Sequence, residues 1–84
     1  GARGQSEEDF FATAKDTADG LARELKRLPP ADPRSRRALE IGCGPGRLMR
    51  PMSAHFGEIH GVDVSDEMIA RARRNLAGIA HAHV

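Results

Sequence analysis

The chain has 84 residues, 39% of them hydrophobic, with 13 lysines and arginines against 12 aspartates and glutamates and a formal net charge of +1. That balance gives no reason to expect nucleic acid or an anionic membrane as a partner, and the length allows one small core. Cys43 is the single cysteine, so no intramolecular disulfide can form within these residues, and no run reaches the roughly 18 apolar residues of a membrane span.

Residues 6–28, SEEDFFATAKDTADGLARELKRL, predict an amphipathic helix. Ser6 can cap its first turn, and Glu7, Glu8 and Asp9 complement the positive end of its dipole. Phe10, Ala14, Thr17, Leu21, Leu25 and Leu28 recur at steps of three and four and draw one apolar stripe. Gly20 weakens the middle by roughly 1 kcal/mol relative to alanine and could mark a bend. Lys26 and Arg27 suit the carboxyl end, Pro29 and Pro30 stop it, and PPADPRS reads as a stiff linker. The basic clusters PRSRR and ARARR read as solvated surface.

RALEI, residues 37–41, predicts a short buried strand. Beyond the glycines, Arg47 to His55 predict a helix with a local irregularity at Pro51 and a stop at Gly57. EIHGVDV, residues 58–64, predicts a second strand. Ser65 then caps a third helix with Met68, Ile69, Ala72 and Leu76 on its apolar face and Gly78 at its close, and HAHV at 81–84 can open another strand. Strands alternating with helices predict an α/β fold with a parallel sheet joined by crossovers. The expected organisation is a helix and linker over 1–35, then an incomplete Rossmann-like unit over 36–84.

The chemistry concentrates in ALEIGCGPGRLMRP, residues 38–51. Gly42, Gly44 and Gly46 follow a strand and precede a helix, a place where glycine allows positive φ and lets a ligand touch the main chain while backbone amides point at it. Asp63 follows Gly42 by 21 residues and ends the second strand. An acidic residue about 20 positions on sits beside such a turn in a βαβ unit and accepts bonds from ribose hydroxyls. A dinucleotide fingerprint requires a small residue where this chain has Arg47, and a phosphate loop requires a lysine that is missing.

LEIGCGPG followed by GVDVSDEMIARAR resembles the class I S-adenosylmethionine-dependent methyltransferases, in particular those acting on small molecules. Glu40, Gly42, Gly44 and Gly46 match that family's first motif, E-x-G-x-G-x-G, and Asp63 matches the acidic residue after its second strand. The resemblance implies that Gly42 and Gly44 meet the methionine and ribose parts of S-adenosyl-L-methionine through the backbone, and that Asp63 accepts the ribose hydroxyls. It also implies that Val64 flanks the adenine with Met68 near it, and that Glu40 holds the turn close to the ligand's amino group. Cys43 reads as a small buried residue presenting its amide, with no activating partner for a nucleophile. His81 and His83 alternate and would share a strand face, but no third ligand is evident and no metal site is expected.

The resembled fold has a seven-stranded sheet, so the chain reads as its amino-terminal cofactor-binding portion, inactive alone, from a cytoplasmic enzyme with a small-molecule acceptor. One edge of the first strand would then lack a neighbour, which predicts self-association. The competing readings are an NAD-linked oxidoreductase fragment and a non-enzymatic self-associating half-domain.

Overall fold

A computed structural model describes residues 7–29 and 32–84, and the expected roles of Ser6, the Phe10 side chain and Pro30 lie outside what it describes. Helix α1, Glu7–Leu25, runs through Gly20 without a break. Its buried line is Ala14 and Ala18, continued by half-buried Ala22 and Leu25; Thr17, Leu21 and Leu28 are exposed. The stripe is therefore rotated from the leucines toward the alanines. Small side chains let the α1 backbone approach the rest of the core closely, and that proximity outweighs the larger apolar side chains beside them.

α1 ends short of Leu28. Its last residues wind as tight turns, with the Arg27 amide donating to the Glu24 carbonyl at 3.0 Å and Leu28 to Leu25 at 3.1 Å. The Arg36 guanidinium closes this end by donating to the carbonyl oxygens of Leu25, at 2.7 Å, and Leu28. Arg36 is thus no solvated member of a basic cluster: it satisfies orphan carbonyls where a cation also opposes the helix dipole. The linker is shaped rather than merely stiff, since Pro33–Ser35 form a 3-10 turn capped by the Asp32 carboxylate, which accepts from the Arg34 amide at 2.9 Å.

Three strands follow, β1 (Arg37–Ile41), β2 (Glu58–Val62) and β3 (Ala82–His83), all parallel and in the order β1-β2-β3. β2 stops two residues before the predicted Val64. Between β1 and β2 the chain makes turns through Leu48, one α-helical turn, α2 (Met49–Met52), and a 3-10 turn, Ser53–His55. The helix expected from Arg47 to His55 is this much shorter piece. Pro51 lacks an amide to continue the ladder, so the bonds around it skip that position: Arg50 to Gly46 and Met52 to Leu48, both at 3.1 Å, and Ser53 to Met49. Gly57 keeps its place for a steric reason: a Cβ there would collide with the Arg34 carbonyl, so it permits a close backbone approach.

Helix α3, Asp66–Asn75, begins as predicted. The Ser65 hydroxyl accepts from the Met68 amide at 3.2 Å, Asp66 and Glu67 occupy the first turn, and Ala72 is buried. Arg71 pairs with Glu67 at 2.7 Å on the exposed face. Gly78, at φ +89°, turns the chain toward β3.

Strand register sorts the sheet into two faces. The row Ala38, Ile59, Ala82 lies on one side and joins a core formed with Ala18, Cys43, Met49, Met52, Ala72 and Leu76. The adjacent row Leu39, His60, His83 points the other way, with Ile41 and Val62 beyond it. Leu39 is 61% exposed and Ile41 81% exposed, so β1 is a strand but not a buried one. Among the described residues, helices cover one sheet face only and β1 pairs with β2 alone.

Candidate functional site

The carboxyl ends of β1 and β2 border a notch of about 280 Å³ lined by Ile41, Gly42, Val62, Asp63 and Val64. Parallel strands place such notches where ligands of open α/β sheets bind. Gly42, Gly44 and Gly46 have φ of 74°, 57° and 83°, alternate left-handed positions that residues with a Cβ rarely adopt. A Cβ on Gly42 or Gly44 would meet nothing within 4 Å, so the main chain faces open space there. At Gly46 the same atom would press on the Leu76 side chain at 3.3 Å, so the third glycine also serves packing against the residue that follows α3.

Asp63 ties the two strand ends together. Its Oδ2 accepts from the Gly44 amide at 2.9 Å and its Oδ1 from the Ser65 amide at 2.9 Å. The amides of Ser65 and Gly44 hold this carboxyl below its ordinary range. It is ionised at neutral pH, and a carboxylate offers about four acceptor positions, of which these amides use two. The bond to Ser65 also explains where β2 stops, because it turns the chain directly into the α3 cap. A second tie crosses the turn from the other side, as Asn75 Nδ2 donates to the Pro45 carbonyl at 2.8 Å.

One sequence expectation is corrected here. The turn does not point its amides outward at a common guest: Gly42 and Cys43 both donate to the Val62 carbonyl, at 2.8 and 3.0 Å, Gly44 donates to Asp63, and Gly46 donates to the Cys43 carbonyl at 3.2 Å. What the turn offers a guest is the open Cα surface of Gly42 and Gly44. That suits a guest without phosphate, which needs close approach more than a cradle of donors.

Glu40 lies on the helix-covered face, in register with Gly61. Its Oε1 is buried without a hydrogen-bond partner, and burial raises its carboxyl above the usual range, with the Arg47 charge opposing the shift. Cys43 is buried, and its thiol is raised by burial first and then by the nearby carboxylates of Asp63 and Glu40. It therefore stays protonated, the opposite of an activated nucleophile. Val64 is fully exposed, so core packing does not claim it. Met68 is half-buried in the first turn of α3 and does not line the notch. Ile41 and Val62 do line it, and the sequence reading passed over both; their position as last residues of adjacent parallel strands was the available signal.

Residues 38–84 match the family described as methyltransferase domain. The chain belongs to that family. Trans-aconitate 2-methyltransferase of Methylobacterium nodulans is 43% identical over 58 residues, which cover 67% of this chain and 22% of that protein. The SAM-bound amino pentose methyltransferase CalS10 of Micromonospora echinaspora superposes with a TM-score of 0.69 at 27% identity, over 96% of this chain and 30% of that one. The sugar N-methyltransferase KedS8 of a Streptoalloteichus species gives a TM-score of 0.62 at 25% identity, over 99% and 34%. This methyltransferase-domain chain thus spans about a fifth of its curated relatives and about a third of these solved structures. The expected fold class stands, an α/β unit of the class I methyltransferase type with a short parallel sheet, and none of these relatives is an NAD-linked enzyme. No helix among the described residues is long and apolar enough to cross a membrane.

Proposed function

We propose that this chain binds S-adenosyl-L-methionine at the carboxyl ends of β1 and β2, and that it forms the donor side of a methyl transfer to a small-molecule acceptor. The observation that carries the reading is the Asp63 carboxylate held at 2.9 Å from the Gly44 amide, ionised and with acceptor capacity to spare. The residues fit the group on two further counts. Open space lies beside Gly42 and Gly44, and a buried, unpartnered Glu40 oxygen suits the cationic amino group of a methionine moiety.

When bound, the cofactor supplies a methyl group on a sulfonium, which needs chiefly proximity and alignment with its acceptor. The chain's own residues do the holding. Asp63 accepts the ribose hydroxyls; Gly42 and Gly44 let the guest approach the main chain; Val64 offers apolar surface to the adenine, with Met68 at the margin of the site. Glu40 receives the amino group, while Cys43 and Gly46 keep the turn packed against the core. Calorimetry with S-adenosylhomocysteine and with NAD tests this: saturable binding of the first and none of the second is expected. Preferential binding of NAD would refute it.

We further propose that the chain works in the cytoplasm and self-associates through the unpaired edge of β1. The exposed Leu39 and Ile41 on that strand support association. Sedimentation should show dimers or larger species forming across micromolar concentrations; a monomer throughout would rule the edge contact out.

A further inference from the structure

We infer that the open face of the sheet carries a site for a zinc-class divalent cation, formed by Glu58, His60 and His83. Strand geometry brings the three together. Glu58 and His60 are two residues apart on β2 and so share a face, and the β2–β3 register sets His83 directly beside His60. The imidazole centroids are 4.9 Å apart, tilted by 31°. The Glu58 carboxylate serves both rings, with Oε2 at 3.4 Å from His60 Nε2 and Oε1 at 3.7 Å from His83 Nε2. One ligand atom from each of the three lies within 4.8 Å of the others.

Those separations are close to what a cation demands. Tetrahedral ligands at about 2.0–2.1 Å from zinc stand about 3.3 Å apart. The Glu58–His60 separation already meets that value, and His83, on a half-exposed side chain, has room to close the rest. Two neutral imidazoles with one carboxylate form a borderline donor set that suits Zn²⁺, Ni²⁺ and Cu²⁺ better than Mg²⁺ or Ca²⁺, with water completing the coordination. His81, expected to share a strand face with His83, is not part of this cluster. His81 precedes β3 and its Nε2 contacts the Ser53 carbonyl at 2.7 Å, so it belongs to the helix side.

The cation would fasten β3, which pairs with β2 through two residues only, to the middle of the sheet. The site lies on the face opposite the Ala38, Ile59, Ala82 core row and shares no residue with the Asp63 notch, so it stands or falls independently of the proposed function.

The test is a titration of the full chain with Zn²⁺ alone by calorimetry, repeated with Co²⁺ while recording its visible absorption. The expected result is one equivalent bound, a cobalt spectrum of four-coordinate intensity, and a higher melting temperature with metal. His60→Gln and His83→Gln should each weaken binding at least tenfold, while the far-ultraviolet circular dichroism of the unliganded chain stays unchanged. His81→Gln should leave the affinity intact. Absence of saturable binding to the folded chain, or binding that survives the loss of both His60 and His83, would overturn the inference.

Discussion

Gly61→Val is expected to unfold the chain or to lower its melting temperature by more than about 10 °C, the largest stability effect of any single substitution in the sheet. Gly61 lies on the covered face of β2, beneath the glycine turn. A Cβ there would stand 2.9 Å from both Cβ and Sγ of Cys43 and closer still to the Met49 sulfur. Met49 is 1% exposed and Cys43 5% exposed, so both sit inside the core and must shift to admit the added atoms. Relief requires lifting α2 or the turn off the sheet, and overpacking of this kind costs about 1–3 kcal/mol or more. A small domain has little stability in reserve. Thermal denaturation followed by circular dichroism measures the effect. Val64→Ala, at a fully exposed position, is the control and should leave the melting temperature within about 2 °C of the parent.

Asp63→Ala is expected to have the largest effect on binding, weakening S-adenosylhomocysteine roughly ten- to hundredfold. The substitution removes the acceptor proposed for both ribose hydroxyls. It also strands the Gly44 and Ser65 amides, which loosens the turn that shapes the site. Asp63→Asn separates these effects, because its amide oxygen can still accept from one of the two donors. Asn should retain much of the melting temperature and little of the affinity. The same bonds fix the pH dependence. The folded-state value of Asp63 lies below the ordinary aspartate value of 3.8, so its contribution to stability is complete above that value and disappears as pH falls through the lower one. Calorimetry on the two variants near neutral pH measures the binding effect; equal affinity in Asp63→Ala and the parent would remove this residue from the site.

The parts of this structure legible in the sequence are those where one residue type has one physical use. Three glycines on alternate positions required left-handed backbone, and all three have it. Ser65 before Asp66 and Glu67 marked a helix start, and its hydroxyl makes the cap. Asp63 at the far end of the second strand reached the turn as its spacing implied.

What stayed hidden depended on distance between elements. Periodicity draws Leu21 and Ala18 on neighbouring lines of α1, and only the closeness of the core decides that alanine is inside. The glycines announced a permissive backbone but not where its amides go; Val62, Cys43 and Asp63 consume them. Leu39 and Ile41 read as buried because they are apolar, yet burial needs a second covering layer that the described elements do not provide. His60 had no nameable partner until the register of β2 with β3 supplied His83.

The proposed sugar-bearing guest sits against the outer side of the glycine turn and the Asp63 carboxylate, which are themselves bonded to each other. The direct measurement is a titration of the nitrogen-labelled chain with S-adenosylhomocysteine, following each amide by NMR, which registers binding even at millimolar affinity. Shifts concentrated at residues 41–46 and 62–65, with Lys15, Asp19 and Arg50 on the α1–α2 side unmoved, are the predicted result. A folded chain whose moving amides lie elsewhere, or that shows no movement at millimolar ligand, would contradict it.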